Sequence, residues 1–143
     1  MEKLNADSRK VMEERVGKDN VIALATAAEG IPYVRSVNAY YEDGAFYVIT
    51  WAHSNKMKHL AENPVAAIGG DWFTAHGRGV NMGYFGKAEN AAIAEKLRHA
   101  FREWIDNGDN DFADEGTCIL RIDLTDGVLF DHGTRYDIDF TKE

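Results

Sequence analysis

The sequence predicts an α+β protein in which an antiparallel sheet of about six or seven strands curls into a barrel flanked by helices. Short runs rich in Val, Ile, Tyr and Phe recur along the chain and are separated by glycine-containing turns. Segments with helical periodicity do not alternate strictly with these strands, which argues against a parallel α/β fold. The length of 143 residues suits one domain, which we assign to residues 1–143.

The composition is that of an ordinary globular protein, with 45% hydrophobic and 28% charged residues. The net charge of -8 makes nucleic acid and anionic membranes poor partners, because both require clustered cations that neutralise phosphates. No apolar run approaches the roughly 20 residues of a membrane span, and the first residues lack the apolar core of a signal peptide. We therefore expect a cytoplasmic protein. Cys118, the single cysteine, lies in an apolar run and is expected to be buried.

The first part of the chain has the pattern of one helix followed by three strands. Glu2–Gly17 carries apolar residues on one face and ends at a glycine, which predicts a helix. Val21–Thr26 is a short apolar strand. Ile31–Tyr41 and Ala45–Trp51 are rich in β-branched and aromatic residues, and Glu42-Asp43-Gly44 between them favours a tight hairpin.

The middle of the chain contains a short helix, a strand, a glycine-rich stretch and a longer helix. Ser54 can cap a helix that runs to about Asn63, and Val65–Gly69 is a further apolar strand. From Gly69 to Gly86, six glycines are interspersed with aromatic residues. This pattern indicates either a backbone close to a flat ligand or a twisted, bulged strand. Ala91–Ile105 has apolar residues at helical spacing and is the clearest helix in the sequence.

The last part of the chain predicts a second hairpin. Thr117–Leu124 and Val128–Asp131 are its strands, and Thr125-Asp126-Gly127 is its turn. The polar segment His132–Tyr136 either lines a pocket or caps the sheet. The five histidines are isolated, without the spacing of a zinc or iron site, so we predict no metal centre.

Two cations near the predicted hairpin are candidates for binding an anion. Lys56 falls in the first turn of the helix that begins after Ser54, where the helix dipole disfavours a cation, so an anionic guest would explain its position. Arg35, in the middle of a strand, is a second cation, and Thr50 and Ser54 add hydroxyl groups. Such groups can hold a phosphate through charge-assisted hydrogen bonds. Alternatively, each cation is an ordinary solvent-facing residue.

This part of the chain contains a series of short motifs, which are, in order, Val34-Arg35-Ser36-Val37, a hairpin, Tyr47-Val48-Ile49-Thr50, Ser54-x-Lys56 and Leu60-x-x-Asn63-Pro64. Together they resemble the pyridoxamine 5'-phosphate oxidase-like FMN-binding split-barrel family. The similarity covers about residues 20–86. It implies a split barrel, bound FMN and a homodimer with the flavin at the interface. The implied phosphate contacts are Arg35, Ser54 and Lys56, with Asn55 beside them, and the implied ring or ribityl contacts are Ser36, Val37, Asn38, Ile49, Thr50 and Trp51. The resemblance also implies that Trp72, Phe73 or His76 can reach the cofactor of the partner chain.

The function implied by this resemblance is transfer of hydride or electrons between FMN and an unidentified small molecule. Asn55 stands where the family's best-known enzyme has an arginine, and that enzyme's C-terminal tryptophan and arginine arrangement is absent here. Pyridoxamine phosphate oxidase activity is therefore not expected. Three alternatives remain open: the same barrel with a deazaflavin or haem, a non-catalytic flavin store or sensor, and a barrel that binds an apolar ligand or another protein.

Overall fold

Over residues 1–142, which the computed structural model describes, the chain folds into an eight-stranded sheet with three α-helices. In chain order the elements are β1 (Glu2–Lys3), α1 (Ala6–Val16), β2 (Asn20–Ala28), β3 (Ile31–Glu42), β4 (Ala45–Trp51), α2 (Asn55–Glu62), β5 (Val65–Gly70), β6 (Phe73–Tyr84), a 3-10 turn (Ala88–Asn90), α3 (Ala91–Ala100), β7 (Thr117–Asp131) and β8 (Thr134–Asp139). None of the helices in this part of the chain is both long enough and apolar enough to cross a bilayer.

Six of the strands close into an antiparallel barrel. Their order is β7-β4-β3-β2-β5-β6, and β6 pairs with β7 to complete the ring. The second half of β7 also pairs with β8, and β1 runs parallel to β8. The predicted α+β class, with a mostly antiparallel barrel of about six strands and flanking helices, is confirmed.

Helices α1 and α2 lie at opposite ends of β2. Asn20, at the start of β2, donates from Nδ2 to the carbonyl oxygen of Val16 at the end of α1 (3.2 Å). Near the other end, Thr26 Oγ1 is hydrogen-bonded to Nδ1 of His59 on α2 (2.8 Å). Met12 of α1 and Met57 of α2 belong to the same buried cluster as the barrel interior. Each helix therefore contributes side chains to the barrel core from its own end.

The barrel is open along one seam, between β3 and β4. These strands pair only where Tyr40–Glu42 meets Ala45–Tyr47. The rest of β3, Ile31–Ala39, pairs with β2 on its other side. Beyond Tyr47 the two strands diverge, and β4 continues to pair with β7. The resulting opening, which we call the seam, exposes backbone of β3 and defines the split of the barrel.

A second apolar cluster lies outside the barrel, beneath α3. Leu97, Phe101 and Ile119 are fully buried in it. The sequence predicted a helix as far as Ile105, whereas α3 ends at Ala100 and the chain continues in turns. The reason is that Phe101 and Ile105 are buried although the backbone there forms turns, so the apolar spacing reports burial and not the regularity of the backbone.

The predicted helix Glu2–Gly17 is also too long at its start. Glu2 and Lys3 form β1, and α1 begins only after Asn5. The Asn5 side chain accepts a hydrogen bond from the Ser8 backbone N–H (2.9 Å), and the Asn5 N–H donates to the Ser8 hydroxyl (3.0 Å). This reciprocal cap fixes where the helix starts.

The predicted second hairpin is wrong. Residues Thr117–Asp131 form one continuous strand, and the hairpin turn follows at His132-Gly133, both with positive φ. Gly127 lies inside β7, where an added Cβ would meet the rings of Phe73 and Phe140 at 3.1 Å. This glycine therefore permits close packing and does not mark a turn. The segment His132–Tyr136 forms that turn and the beginning of β8.

The glycine-rich stretch is a bulged strand, as the second of the two interpretations predicted. It forms β6, whose register with β7 shifts between His76 and Gly77 and again between Asn81 and Tyr84. A Cβ on Gly77 would come within 2.8 Å of the Asp123 carbonyl oxygen on β7. The glycine is required because the two backbones approach closely at the first bulge.

Candidate functional site

The seam between β3 and β4 gathers polar side chains that point inward. Arg35 pairs in register with Leu24, which is fully buried, so both side chains lie on the inner face of the sheet. On β4, Thr50 is buried and alternates with Phe46 and Val48, so it also points inward. Helix α2 begins directly after β4 and brings Lys56 to the same place.

Arg35 is held by oxygen atoms of β2. Its Nη1 donates to Thr26 Oγ1 (2.8 Å) and to the carbonyl oxygen of Leu24 (3.2 Å). Thr26 is in turn hydrogen-bonded to His59, whose ring lies 4.9 Å from the Tyr33 ring. These contacts fix the direction of the guanidinium group and leave its other N–H groups available.

Lys56 is held by a hydroxyl group. Its Nζ donates to Thr50 Oγ1 (2.8 Å), and Thr50 Oγ1 lies 3.4 Å from Ser54 Oγ. Burial, and then the nearby charge of Arg35, lowers the pKa of the Lys56 ammonium below the ordinary value of 10.5. Cys118 lies opposite Thr50 on β7 and is buried, as predicted. Burial raises the pKa of its thiol, so the thiol remains neutral at pH 7 and does not compensate the lysine charge.

The two cations have no acidic partner within the described part of the chain. Neither Arg35 nor Lys56 forms a salt bridge with any of residues 1–142, although the protein has 24 acidic residues. Burial also lowers the pKa of the Arg35 guanidinium. Two partly desolvated, mutually repelling cations are unfavourable alone, so this arrangement favours an anionic guest. We call Arg35, Lys56, Thr26, Thr50, Ser54 and His59 the cationic cluster.

The N-terminus of α2 adds backbone donors to this cluster. Ser54 occupies the N-cap position with extended backbone, but its hydroxyl accepts no hydrogen bond from the helix and lies near Thr50 instead. The first turn contains no acidic residue. The first N–H groups of α2 are therefore free of a side-chain cap, and the helix dipole favours an anion beside them.

The predicted ring-contact residues lie on two different faces. On β3, Val37 shares the inner face with Arg35 and packs against the barrel core, whereas Ser36 and Asn38 point to the outer face. The Asn38 amide donates to Asp19 Oδ1 (3.0 Å). Because the faces alternate along a strand, a ligand inside the seam meets the side chains of only every second residue.

The remaining predicted contacts surround the seam or lie away from it. Ile49 points outward into the cluster beneath α3, and Trp51 is 55% exposed with its ring 5.1 Å from that of His53. Asn55 is exposed at the first position of α2. Trp72 is 71% exposed in the turn after β5, with a φ of 58°. That turn lies beyond the end of β2 opposite to Thr26, so Trp72 does not join the cationic cluster of its own chain.

The sequence around the cationic cluster is similar to that of a known protein family. The sequence profile of the family described as pyridoxamine 5'-phosphate oxidase matches residues 8–127, which contain the entire cationic cluster. The chain belongs to the pyridoxamine 5'-phosphate oxidase family. No curated protein sequence matches the chain.

Solved structures share the fold of this family member at low sequence identity. A FAD-binding protein from Mesorhizobium loti has a TM-score of 0.66 at 16% identity, covering 87% of this chain and 92% of that chain. General Stress Protein 26 from Bacillus anthracis str. Sterne has a TM-score of 0.67 at 13% identity, covering 91% and 98%. A haem-binding protein from Mycobacterium smegmatis has a TM-score of 0.62 at 18% identity, covering 86% of this chain and 54% of that chain. These values establish the shared fold.

Sequence reasoning about this family member missed two residues of the cluster, Thr26 and His59. Thr26 follows Ile22 and Leu24 at every second position of β2, so a polar residue on an otherwise buried face was the available signal. His59 follows Lys56 by three positions and therefore shares its face of α2. Both signals required knowing which face of each element points inward.

Proposed function

We propose that this member of the pyridoxamine 5'-phosphate oxidase family binds FMN, with the phosphate in the cationic cluster at the seam. The observation that carries the proposal is the pair Arg35 and Lys56, which lie close together, partly buried and without an acidic partner in residues 1–142. A phosphate dianion would compensate both charges and accept hydrogen bonds from the uncapped N-terminus of α2. The donor set therefore fits a phosphorylated cofactor.

The chain then serves as an oxidoreductase that orients the flavin toward a small molecule. Bound FMN supplies the hydride and electron chemistry. Arg35, positioned by Thr26, and Lys56, positioned by Thr50, hold the phosphate end of the cofactor. Val37 presents an apolar, half-buried side chain on the same face of β3, where it excludes water from the inner side of the seam.

We also propose that the protein is a homodimer, formed through the outer face of β2, β3 and β5. Val21 and Val34 are 62% and 70% exposed on this face. Ala23, Ala25 and Ala67 lie between and beside them, and together with Val34 they line an apolar hollow of about 290 Å³ that His76 and Asp126 border. Exposed apolar patches of this kind are typical of protein contacts. A second copy is the natural occupant because its own face is equally apolar and exposes the same two valines.

The proposed dimer predicts that a single charge introduced on this face weakens the association of the two copies. Val34→Glu places a carboxylate on this face, so we expect the dimer to dissociate at least ten times more readily, because burying an unpaired charge costs well over about 1.4 kcal/mol. Sedimentation velocity over a concentration series measures this change. Ala88→Glu, which adds the same charge at an exposed residue outside the face, is the control. A wild-type protein that sediments as a monomer would contradict the proposal.

The test of cofactor binding is the visible spectrum of the purified protein before and after FMN is added and the excess removed. The chromophore is released by denaturation and identified. We expect one FMN per chain and the two visible bands of an oxidised flavin. Red protein would indicate haem, as in the structural neighbour from Mycobacterium smegmatis. A single blue-shifted band would indicate a deazaflavin, and a colourless protein that takes up no FMN would refute the proposed cofactor.

Oxidoreductase function is tested by anaerobic mixing of the FMN-loaded protein with NADH or NADPH. We expect the flavin bands to bleach in an enzyme that pyridine nucleotides reduce. If the flavin bands bleach slowly or not at all with both NADH and NADPH, a flavin store or sensor would be favoured instead.

Loss of the hydrogen bond between Thr26 and Arg35 is expected to lower the affinity for the cofactor by a modest factor. Thr26→Val keeps the shape of the side chain but removes the oxygen that accepts from Arg35 Nη1. We expect FMN affinity to fall about fivefold, corresponding to roughly 1 kcal/mol for one hydrogen bond. Fluorescence titration with FMN measures the change. Thr134→Val, at an exposed position of β8, should leave the affinity unaltered. Equal affinities of the two variants would show that Thr26 does not position Arg35.

The lowered pKa of Lys56 predicts a pH dependence of binding. The phosphate is a dianion above about pH 7, but it attracts Lys56 only while the ammonium is protonated. Because the pKa lies below 10.5, we expect FMN affinity to decline as the pH rises, beginning below that value. Measuring the FMN affinity from about pH 7.5 to about pH 10 tests this, because the phosphate is a dianion throughout that range and a lysine of lowered pKa loses its proton within it. Lys56→Arg remains charged throughout and should lose the decline. An unchanged decline in that variant would assign it to another group.

A further inference from the structure

A groove outside the barrel has no role in the proposed flavin site. It lies between the residues that follow α1, the outer face of β3 and one face of α3, with a volume of about 560 Å³. This volume is in the range of sites for small organic ligands, roughly 300–1,000 Å³. Tyr40 faces this groove from the outer side of β3, whereas Arg35 points to the inner side. The sheet therefore separates the groove from the cationic cluster.

Small residues on opposite sides create the space. Ala92 and Ala100 belong to α3 and are eight positions apart, so they lie on one stripe of the helix. Gly17 faces them from the end of α1, and the half-buried Tyr40 ring contributes the aromatic surface between. A neighbouring stripe of α3, which contains Leu97, is buried in the second apolar cluster, and Ala100 lies at the border between the two stripes. Thus α3 uses one face for the core and another for the groove.

The rim of the groove is cationic in a protein of net charge -8. Lys18, Lys96 and Arg102 line it, with Glu95 as the single carboxylate among the lining residues. Lys96 is held by Glu42 on β3 at 2.6 Å. Lys18 and Arg102 form no salt bridge with any of residues 1–142. These two cations therefore lie above a largely apolar floor without a salt-bridge partner among residues 1–142.

The polar groups on the floor are already satisfied or uncharged. The Tyr40 hydroxyl donates to Glu42 Oε1 at 3.4 Å, and burial, followed by the charge of Glu42, raises the pKa of that hydroxyl. Tyr40 is therefore neutral at pH 7 and offers the ring face. His99 lies on the rim next to Arg102, whose Nη1 donates to the His99 carbonyl oxygen at 2.9 Å.

We propose that this groove binds a small aromatic carboxylate, with its ring against Tyr40 and the alanines and its carboxylate between Lys18 and Arg102. An apolar floor with two cations above it, neither in a salt bridge with any of residues 1–142, complements a flat molecule that has one anionic end. The groove is a second ligand site, and it is occupied independently of the cofactor at the seam.

The test uses 2-naphthoate as the probe and amide chemical shifts of the full-length, FMN-saturated protein as the readout. We expect saturable shift changes at Gly17, Lys18 and the groove-facing stripe of α3, with no release of FMN. The neutral analogue 2-naphthamide should bind at least tenfold more weakly. Because the flavin site is filled beforehand, displacement of FMN by 2-naphthoate would show that the probe uses the seam instead, and would overturn the proposal.

Variants separate charge from shape. Lys18→Glu with Arg102→Glu should weaken 2-naphthoate binding at least tenfold. Lys3→Glu with Lys10→Glu makes the same change in net charge at exposed residues outside the groove and should alter the affinity by less than twofold. Ala92→Trp fills the groove from an exposed helix position and should abolish the shift changes. Wild-type affinity in the first double variant, shift changes away from the groove, or no saturable binding of 2-naphthoate would each refute the proposal.

Discussion

Replacement of both Arg35 and Lys56 by alanine is expected to weaken FMN binding by about 2–5 kcal/mol, which is a loss of roughly 30-fold to several-thousandfold in affinity. Each side chain would donate a charge-assisted hydrogen bond to the phosphate from a partly buried position, where water competes less effectively. Equilibrium titration of the apoprotein with FMN measures the difference.

The same double variant should fold normally. Removing two repelling cations leaves no buried acidic group unpaired, since neither residue has an acidic partner in residues 1–142. The far-ultraviolet circular dichroism spectrum should therefore be unchanged. Arg9→Ala with Lys10→Ala, which removes two exposed cations from α1, is the matched control and should bind FMN like the wild type. Unaltered FMN affinity in the Arg35 and Lys56 variant would remove the basis for the proposed site.

Phe46→Ala should produce the largest loss of stability, about 3–5 kcal/mol in the free energy of unfolding. Phe46 is fully buried in the barrel interior, where its ring lies 5.4 Å from that of Tyr41 and 6.2 Å from that of Phe73. The substitution leaves a cavity in the part of the barrel where β4 is hydrogen-bonded to both β3 and β7, so the strands cannot easily move together to fill it. Urea-induced unfolding at fixed protein concentration measures the change.

The matched control for this prediction is Phe130→Ala. Phe130 is 40% exposed on β7, and its ring lies 5.6 Å from the guanidinium carbon of Arg135. Its truncation removes less buried surface and leaves no enclosed cavity, so we expect a loss of about 1 kcal/mol or less. If the two variants unfolded at the same urea concentration, the interior packing around Phe46 would not be the main contributor to stability.

Local chemistry was sufficient to predict the central hairpin from the sequence. The β-branched and aromatic runs on either side of Glu42-Asp43-Gly44 predicted β3 and β4, and the turn lies where that composition placed it. Asp43 and Gly44 both have positive φ, which a tight hairpin of this kind requires. By contrast, Thr125-Asp126-Gly127 has a similar composition but lies within β7. Its glycine is present because Phe73 and Phe140 pack against residue 127 and leave no room for a Cβ, and not because the chain turns there.

In the candidate site, too, some features could be predicted from local sequence and others depend on the tertiary structure. The types and spacing of Arg35, Thr50, Ser54 and Lys56 predicted an anion site, and the fold brings Lys56 to Thr50 and places Arg35 near Lys56 on the inner face. Thr26 and His59 were not predicted, because their contribution depends on β2 and α2 meeting across the barrel end. Ser36 and Asn38 were grouped with Arg35, although strand alternation directs them to the other face.

The sequence by itself determined the fold class, the central hairpin and the choice of Arg35, Thr50, Ser54 and Lys56 as an anion site, because turn chemistry and strand composition act over a few residues. Only the tertiary structure decided that β3 and β4 separate beyond Tyr47, that β6 and β7 close the barrel, and that Arg35 and Lys56 have no acidic partner among residues 1–142. These properties depend on residues far apart in the chain, whose distances are set by the packing of the barrel core and not by any local pattern.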